Sequence, residues 1–245
     1  EQTSAWIRQH HASLQAVAGE RVLAELEKMA AAAAGARGLH DALHWGLLTP
    51  WQSKPCHNGA LLQLLSLTPQ RCATLGLMPA EQQQALPLAR LAAGLSAANL
   101  KGLRSSRKLQ QRVERLNRWR QQLGDRDPAQ QAEALSEPMR LQLQQELEDD
   151  LPALLLSWDP ERGQSWLQRW RDPGDPLFHP RAAIDGTSLQ QQLGLKASPQ
   201  LGALLQHLMQ ERAFRRIDSE SEALAAAQHW LRSAQSGSEK GPRRD

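Results

Sequence analysis

The stretch GERVLAELEKMAAAAAG, residues 19–35, decides the fold class. At about 100° per residue, Val22, Leu23, Leu26, Met29 and Ala30 gather on one side of a helix, and Gly35 reads as its C-terminal stop. The same spacing continues on either side. Trp6, Ile7, Leu14 and Val17 predict a helix capped by Thr3 or Ser4 and running to about Ala18, and a third helix runs from about Ala36 to Trp45, ending at Gly46. Composition points the same way. Three Val, three Ile, two Phe and no Tyr leave little from which to build strands, whereas Leu, Ala, Gln, Glu and Arg dominate and favour helix. With 245 residues and 40% hydrophobic content the chain can bury a real core. An all-α fold is predicted.

Beyond Leu48, residues 49–59 read as a loop, with Pro50, Pro55, Asn58 and Gly59. Helices follow over 61–77, 79–93 and 96–123, and Pro87 is expected to bend or split the middle one. GDRDPAQQ, residues 124–131, marks a boundary because Asp127-Pro128 starts a turn and the charge changes sign there. After it come helices over 128–156, which carries the acidic ELEDD at 146–150, and 159–170. A Pro-rich connector (171–180), a hairpin of 185–194 and 198–212, and a last helix over 219–233 complete the chain. In the second hairpin arm Leu201, Leu204, Leu205, Leu208 and Met209 keep the helical repeat, and Ser198-Pro199 supplies a cap and a first-turn residue. The expected division is therefore 1–48, 49–124, 125–233 and a disordered tail at 234–245.

The net charge of +3 hides a concentration. Residues 101–120, KGLRSSRKLQQRVERLNRWR, hold Lys101, Arg104, Arg107, Lys108, Arg112, Arg115, Arg118 and Arg120 against Glu114 alone, a local +7, so the rest of the chain sums to −4. On one continuous helix Lys101, Arg104, Lys108, Arg112 and Arg115 form a narrow stripe with Trp119 at its edge, beside an apolar face of Leu109, Val113, Leu116 and Leu123. A single-sign stripe is an electrostatic footprint for phosphate, and 23 Arg against six Lys favours forked contacts to phosphate oxygens. The plainer reading is a solvated helix face. Most of the eight Trp are expected to fill the core, Trp119 being the one placed to stack on a base.

Other constellations are weaker. His40 and His44, with Asp41, have the spacing to share a metal, but no third ligand stands out, and one buried and one exposed histidine is the commoner outcome. Cys56-His57 invites a nucleophile reading that adjacent loop residues rarely support. Cys56 and Cys72 make neither a disulfide framework nor a zinc site. Glu148, Asp149 and Asp150 read as a solvated helix end. There is no Gly-rich phosphate loop and no acidic pair after an apolar strand to hold magnesium, so no catalytic or metal-binding residue is assigned. No apolar run spans a bilayer and residues 1–8 lack a signal-peptide pattern, which predicts a soluble, cytoplasmic chain. Lys196 and Ser198 are the better prospect: a helix start beside an ammonium makes an anion site, against the alternative of an ordinary capped turn.

Several stretches together resemble a known family. GERVLAELEKM followed by ARGLHDALHWGLL (36–48) resembles the neck of bacterial tRNA nucleotidyltransferases of the poly(A) polymerase family. IDGTSLQQQLGLKASPQLGALLQHLMQERAFRRI (184–217), with AAAQHWL (225–231), is similar to the family's C-terminal region, closest to cyanobacterial members. LSAANLKGL (95–103) takes the place of a body segment. The resemblance implies an elongated array of neck, body and tail helices that holds the acceptor and T arms of tRNA through backbone contacts. The family's metal-binding acids, phosphate turn and nucleotide-selecting element would all precede Glu1. Magnesium and CTP or ATP would accordingly belong to a missing head domain, no catalytic residue carries over, and this chain alone is expected to be inactive. Ala197-Ser198 replaces the family's usual Pro-Gly in the hairpin turn. The alternative is a helical protein-interaction module that kept the scaffold and lost RNA binding. The first reading expects an exposed basic stripe; the second expects the same arginines paired with the acids of 133–161.

Overall fold

The computed structural model describes residues 6, 7, 9, 11–52 and 58–238. The Thr3/Ser4 cap and the Cys56-His57 pair lie outside the described residues, as does the tail from 239 onward. The described residues are helical throughout, with no strand. A 3-10 turn at His11–Ala16 precedes α1 (Gly19–Ala31) and α2 (Gly35–His44), and another at Thr49–Trp51 precedes α3 (Asn58–Ser66). Then come α4 (Pro69–Leu75), α5 (Pro79–Gly94), α6 (Ala97–Gly102), α7 (Arg107–Leu123), α8 (Pro128–Ala134) and α9 (Glu137–Leu147). The last five are α10 (Leu151–Leu155), α11 (Pro160–Arg171), α12 (Gly186–Leu193), α13 (Pro199–Ala213) and α14 (Glu220–Ser238).

The chain forms two compact units, one of residues 1–134 and 146–168, the other of 135–145 and 169–245. GDRDPAQQ lies inside the first unit, so the division does not fall where its turn chemistry suggested. The first unit is organised around α5, which packs against α1, α3, α7 and α10. The sequence explains why: Ala85, Leu86, Leu88, Ala89, Leu91, Ala92 and Ala93 are all buried, and a helix apolar on every side belongs at the centre. Pro87 does not split it. Proline removes one helical hydrogen bond, at a cost of about 3 kcal/mol in an isolated helix, and the surrounding helices offset that cost.

Arg90 is the one charged residue in this apolar run, and it is fully buried. Its guanidinium donates from Nε to Leu67 O (2.8 Å) and from Nη1 to Ala30 O and Ala32 O (2.7 and 2.6 Å), with Nη2 3.3 Å from Ala33 O. The cation thus satisfies the carbonyls that the end of α1 leaves without helical partners. Burial pushes its pKa down. Gly35 accordingly has a different role from the stop first assigned to it. It opens α2, and a Cβ there would sit 1.8 Å from Met29 O and 2.9 Å from Arg90 Nη1.

The second unit has its own core of Ile184, Leu189, Leu204, Leu208, Ile217, Ala223 and Ala227, drawn from α12, α13, α14 and the segments just before α12 and α14. Asp185 caps α12 by accepting from the Thr187 and Ser188 amides, and Gly194 ends it at φ +65°, a conformation that glycine adopts without strain. Helix α14 runs on to Ser238, past residues 234–238 that composition had assigned to the tail.

Candidate nucleic-acid interface

The basic segment is not one helix. α6 stops at Gly102, Leu103 is buried, Arg104 adopts φ +55°, and Ser106 caps α7 by accepting from Leu109 N at 3.2 Å. The serine pair inside the charged pattern is the signal for this break, because serine competes for backbone donors and favours a cap. Lys101 therefore ends α6 and Arg104 belongs to the turn after it, and the stripe proper is confined to α7.

Along α7 the cations divide into two sets. Arg112 grips the buried Asp150 with two nitrogens, Nε at 3.0 Å and Nη2 at 2.6 Å from Oδ1, and this bonding raises the Arg112 pKa. Arg118 pairs with Glu146, which also accepts from Trp119 Nε1 at 2.8 Å. Trp119 is only 1% exposed, so its ring is core and not a platform for a base, a correction to the stacking expectation. Each of these pairs joins α7 to the acidic stretch at 146–150. Arg120 turns inward, its Nη atoms 3.4 Å from Ala89 O and Ala153 O. Lys101, Arg107, Lys108 and Arg115 remain exposed, and none makes an ion pair among the described residues.

The basic turn rests on the N-terminal helices. Arg104 Nη1 lies 3.1 Å from Glu20 Oε1, beside the exposed Arg21. Gly19 lies against the Gly102–Leu103 backbone, so close that a Cβ would come within 3.1 Å of Leu103 Cα. Asn99 Nδ2 donates to Trp51 O at 3.0 Å while its Oδ1 accepts from Ser96 N. Residues 19–21, 51 and 99–104 thus form one contiguous piece of the first unit.

Elsewhere the candidates resolve as follows. Lys196 and Ser198 are exposed; Ser198 Oγ accepts from Leu201 N at 3.3 Å, and Pro199 has no N–H to offer, so the cap uses much of what the helix start could give an anion. The rings of His40 and His44 stack with centroids 5.7 Å apart, and His40 Nδ1 lies 3.0 Å from Asp41 Oδ1. Among the described residues no group of three or more His, Cys, Asp or Glu could hold a metal ion, and no helix is long and apolar enough to cross a membrane. Arg90, Arg120 and Arg71, which donates to Leu156 O (3.0 Å) and to Trp158 O, spend their guanidinium donors on backbone carbonyls.

Residues 1–55 match the family described as the probable RNA and SrmB-binding site of polymerase A. The match supports a relationship to the poly(A) polymerase and CCA-adding family and an RNA-binding role. It covers the segment on which the basic turn rests, so a sequence assigned to RNA binding and the unpaired cation Lys101 share one part of the first unit. No curated protein and no solved structure matches the chain.

Proposed function

We propose that this chain is the tRNA-binding, helical portion of a tRNA nucleotidyltransferase of the bacterial, cyanobacterial-like kind, working in the cytoplasm in 3′-end addition of CCA, CC or A. The observation that carries the reading is the junction of the family-matched N-terminal segment with the basic turn, at Glu20–Arg104, Gly19–Leu103 and Trp51–Asn99. Lys101, Arg107, Lys108 and Arg115 present point charges and forks to the backbone of the acceptor and T arms, which suits recognition by shape. Arg104 joins them when phosphate displaces its exposed carboxylate partner. Lys196 adds a further backbone contact. Magnesium and CTP or ATP belong to a head domain supplied upstream of this chain.

A second reading has a specific observation behind it. Arg112 and Arg118 are held by Asp150 and Glu146, as a protein-interaction module that had lost RNA binding would require. The deciding experiment gives the purified chain a tRNA lacking its 3′ end, with magnesium, CTP and ATP. The proposal expects binding without extension. Extension would overturn the assignment of chemistry to a head domain, and absence of binding would favour the interaction module.

A further inference from the structure

A tryptophan does stand open beside the basic turn, but it is Trp51 and not Trp119. Trp119, Trp158 and Trp166 are buried, and Trp230 stacks on His207 with ring centroids 6.3 Å apart. Trp51 is partly exposed, and its side chain makes no hydrogen bond, ring contact or cation–π contact among the described residues. Its Nε1 is not enclosed. An indole inside a core finds an acceptor for that donor, whereas one left at the surface keeps both its edge and its π face for a ligand.

The surroundings of the ring are suited to that use. Trp51 lies against Gly102, the last residue of α6, where a Cβ would sit 3.5 Å from Trp51 Cδ1 and 3.6 Å from its Cβ. Gly102 is itself exposed, so a larger residue there would lay its side chain along the indole from the solvent side. Glycine leaves that side bare. The backbone under the ring is fixed: Pro50 stands in the first turn of the 3-10 segment Thr49–Trp51, Trp51 N donates to Leu48 O at 3.0 Å, and Trp51 O accepts from Asn99 Nδ2 at 3.0 Å. A platform held in place before binding gives up little conformational entropy on contact. Lys101, the residue before Gly102, is exposed and makes no ion pair among the described residues.

A bare aromatic ring with a free cation next to it is the combination that holds single-stranded nucleic acid, the ring taking a base and the cation a phosphate. A base inside a duplex has both faces covered by its neighbours, and an unpaired one offers a face. We infer that Trp51 is the platform on which one unpaired nucleotide of the bound RNA stacks, with Lys101 on the adjoining phosphate. The inference rests on the RNA-binding reading of the basic turn and adds to it a preference for an unpaired base over duplex. Every base has a π face, so the preference is for single-stranded RNA and not for a sequence.

The test measures the affinity of the full chain for a short single-stranded oligoadenylate and for a blunt-ended RNA duplex. Trp51→Leu should weaken the oligoadenylate by about fivefold to a hundredfold, the loss that stacking of one base carries, and leave the duplex unchanged. Trp51→Phe should recover most of that loss, and Gly102→Leu, which covers the ring and leaves it in place, should repeat the pattern of Trp51→Leu. None of these changes a charge, so the salt dependence should stay that of the unmodified chain. In the unmodified chain the Trp51 indole N–H resonance, assigned by its loss in Trp51→Phe, should shift with oligoadenylate and stay in place with the duplex. A resonance unmoved by saturating oligoadenylate, or an equal loss of both RNAs in Trp51→Leu, would overturn the inference while leaving RNA binding at the basic turn intact. A chain that binds neither RNA would remove the RNA-binding reading and this inference with it.

Discussion

Replacing Arg90 should damage the first unit more than any other single charge substitution in the chain. Its guanidinium makes four contacts to the carbonyls of Leu67, Ala30, Ala32 and Ala33, and the side chain is fully buried. Arg90→Ala removes charge-assisted donors worth about 1.5–3 kcal/mol each and strands their acceptors. Against this stands the desolvation of one buried cation, itself several kcal/mol, which the substitution relieves. The balance is a loss of about 4 kcal/mol, or about 8–16 °C in the melting temperature of a unit this size. Arg90→Lys keeps the charge but brings three donors to a single point, which cannot serve Leu67 and Ala33 together, so it should lose about half as much. Arg90→Met keeps most of the volume and should fall close to alanine, since what is lost is the donors. Urea unfolding followed by helical circular dichroism measures all three. A loss below about 1 kcal/mol for Arg90→Met would refute the claim that these carbonyls depend on the guanidinium.

Two helical glycines should respond to alanine with opposite signs. Gly35→Ala places a Cβ 1.8 Å from Met29 O and should destabilise by several kcal/mol, whereas Gly202→Ala meets nothing within 4 Å and should stabilise by about 0.5–1 kcal/mol through helix propensity; equal effects would show that the α1–α2 junction yields. In the second unit the Arg216 guanidinium, bonded to Glu137, holds its carboxyl below its ordinary value of 4.5. A depressed carboxyl contributes its stability in full above that ordinary value and loses it as pH falls through the lower folded value. The stability gap between the unmodified chain and Glu137→Gln should therefore be constant from neutral pH down to about 5 and close below about 4, and a gap that widens on acidification would contradict the sign.

The all-α class was legible because it rests on composition and on a 3.6-residue repeat, both of which survive tertiary packing. Leu204 and Leu208 in α13, and Leu23 and Leu26 in α1, are buried as their spacing requires. What was not legible depended on partners far along the chain. Nothing local to KGLRSSRKLQQRVERLNRWR shows that Arg112 and Arg118 meet acids about thirty to forty residues away, or that Trp119 donates to one of them. The same limit applied to Pro87, whose local cost is outweighed by neighbours on every side of α5. Other features did carry a local signal. Ser105-Ser106 within a helical charge pattern announces a cap, and a lone arginine in ALPLARLAAG, residues 85–94, announces a buried cation that needs carbonyls. Of the predicted stripe, the exposed members without ion pairs among the described residues are Lys101 at the end of α6 and Lys108 and Arg115 on α7.

The measurement that bears most directly on the RNA-binding account is the salt dependence of tRNA affinity in two charge variants. Lys101, Arg107, Lys108 and Arg115 changed together to Gln remove cations that no ion pair holds, while Arg112→Gln with Arg118→Gln removes two that acids already neutralise. Each phosphate neutralised contributes about −0.7 to −0.9 to the slope of log affinity against log salt. The fourfold variant should bind more weakly and lose about 3 from the magnitude of that slope, and the double variant should keep the slope of the unmodified chain. An unchanged slope in the fourfold variant, or an equal loss in the double one, would place the RNA on another surface.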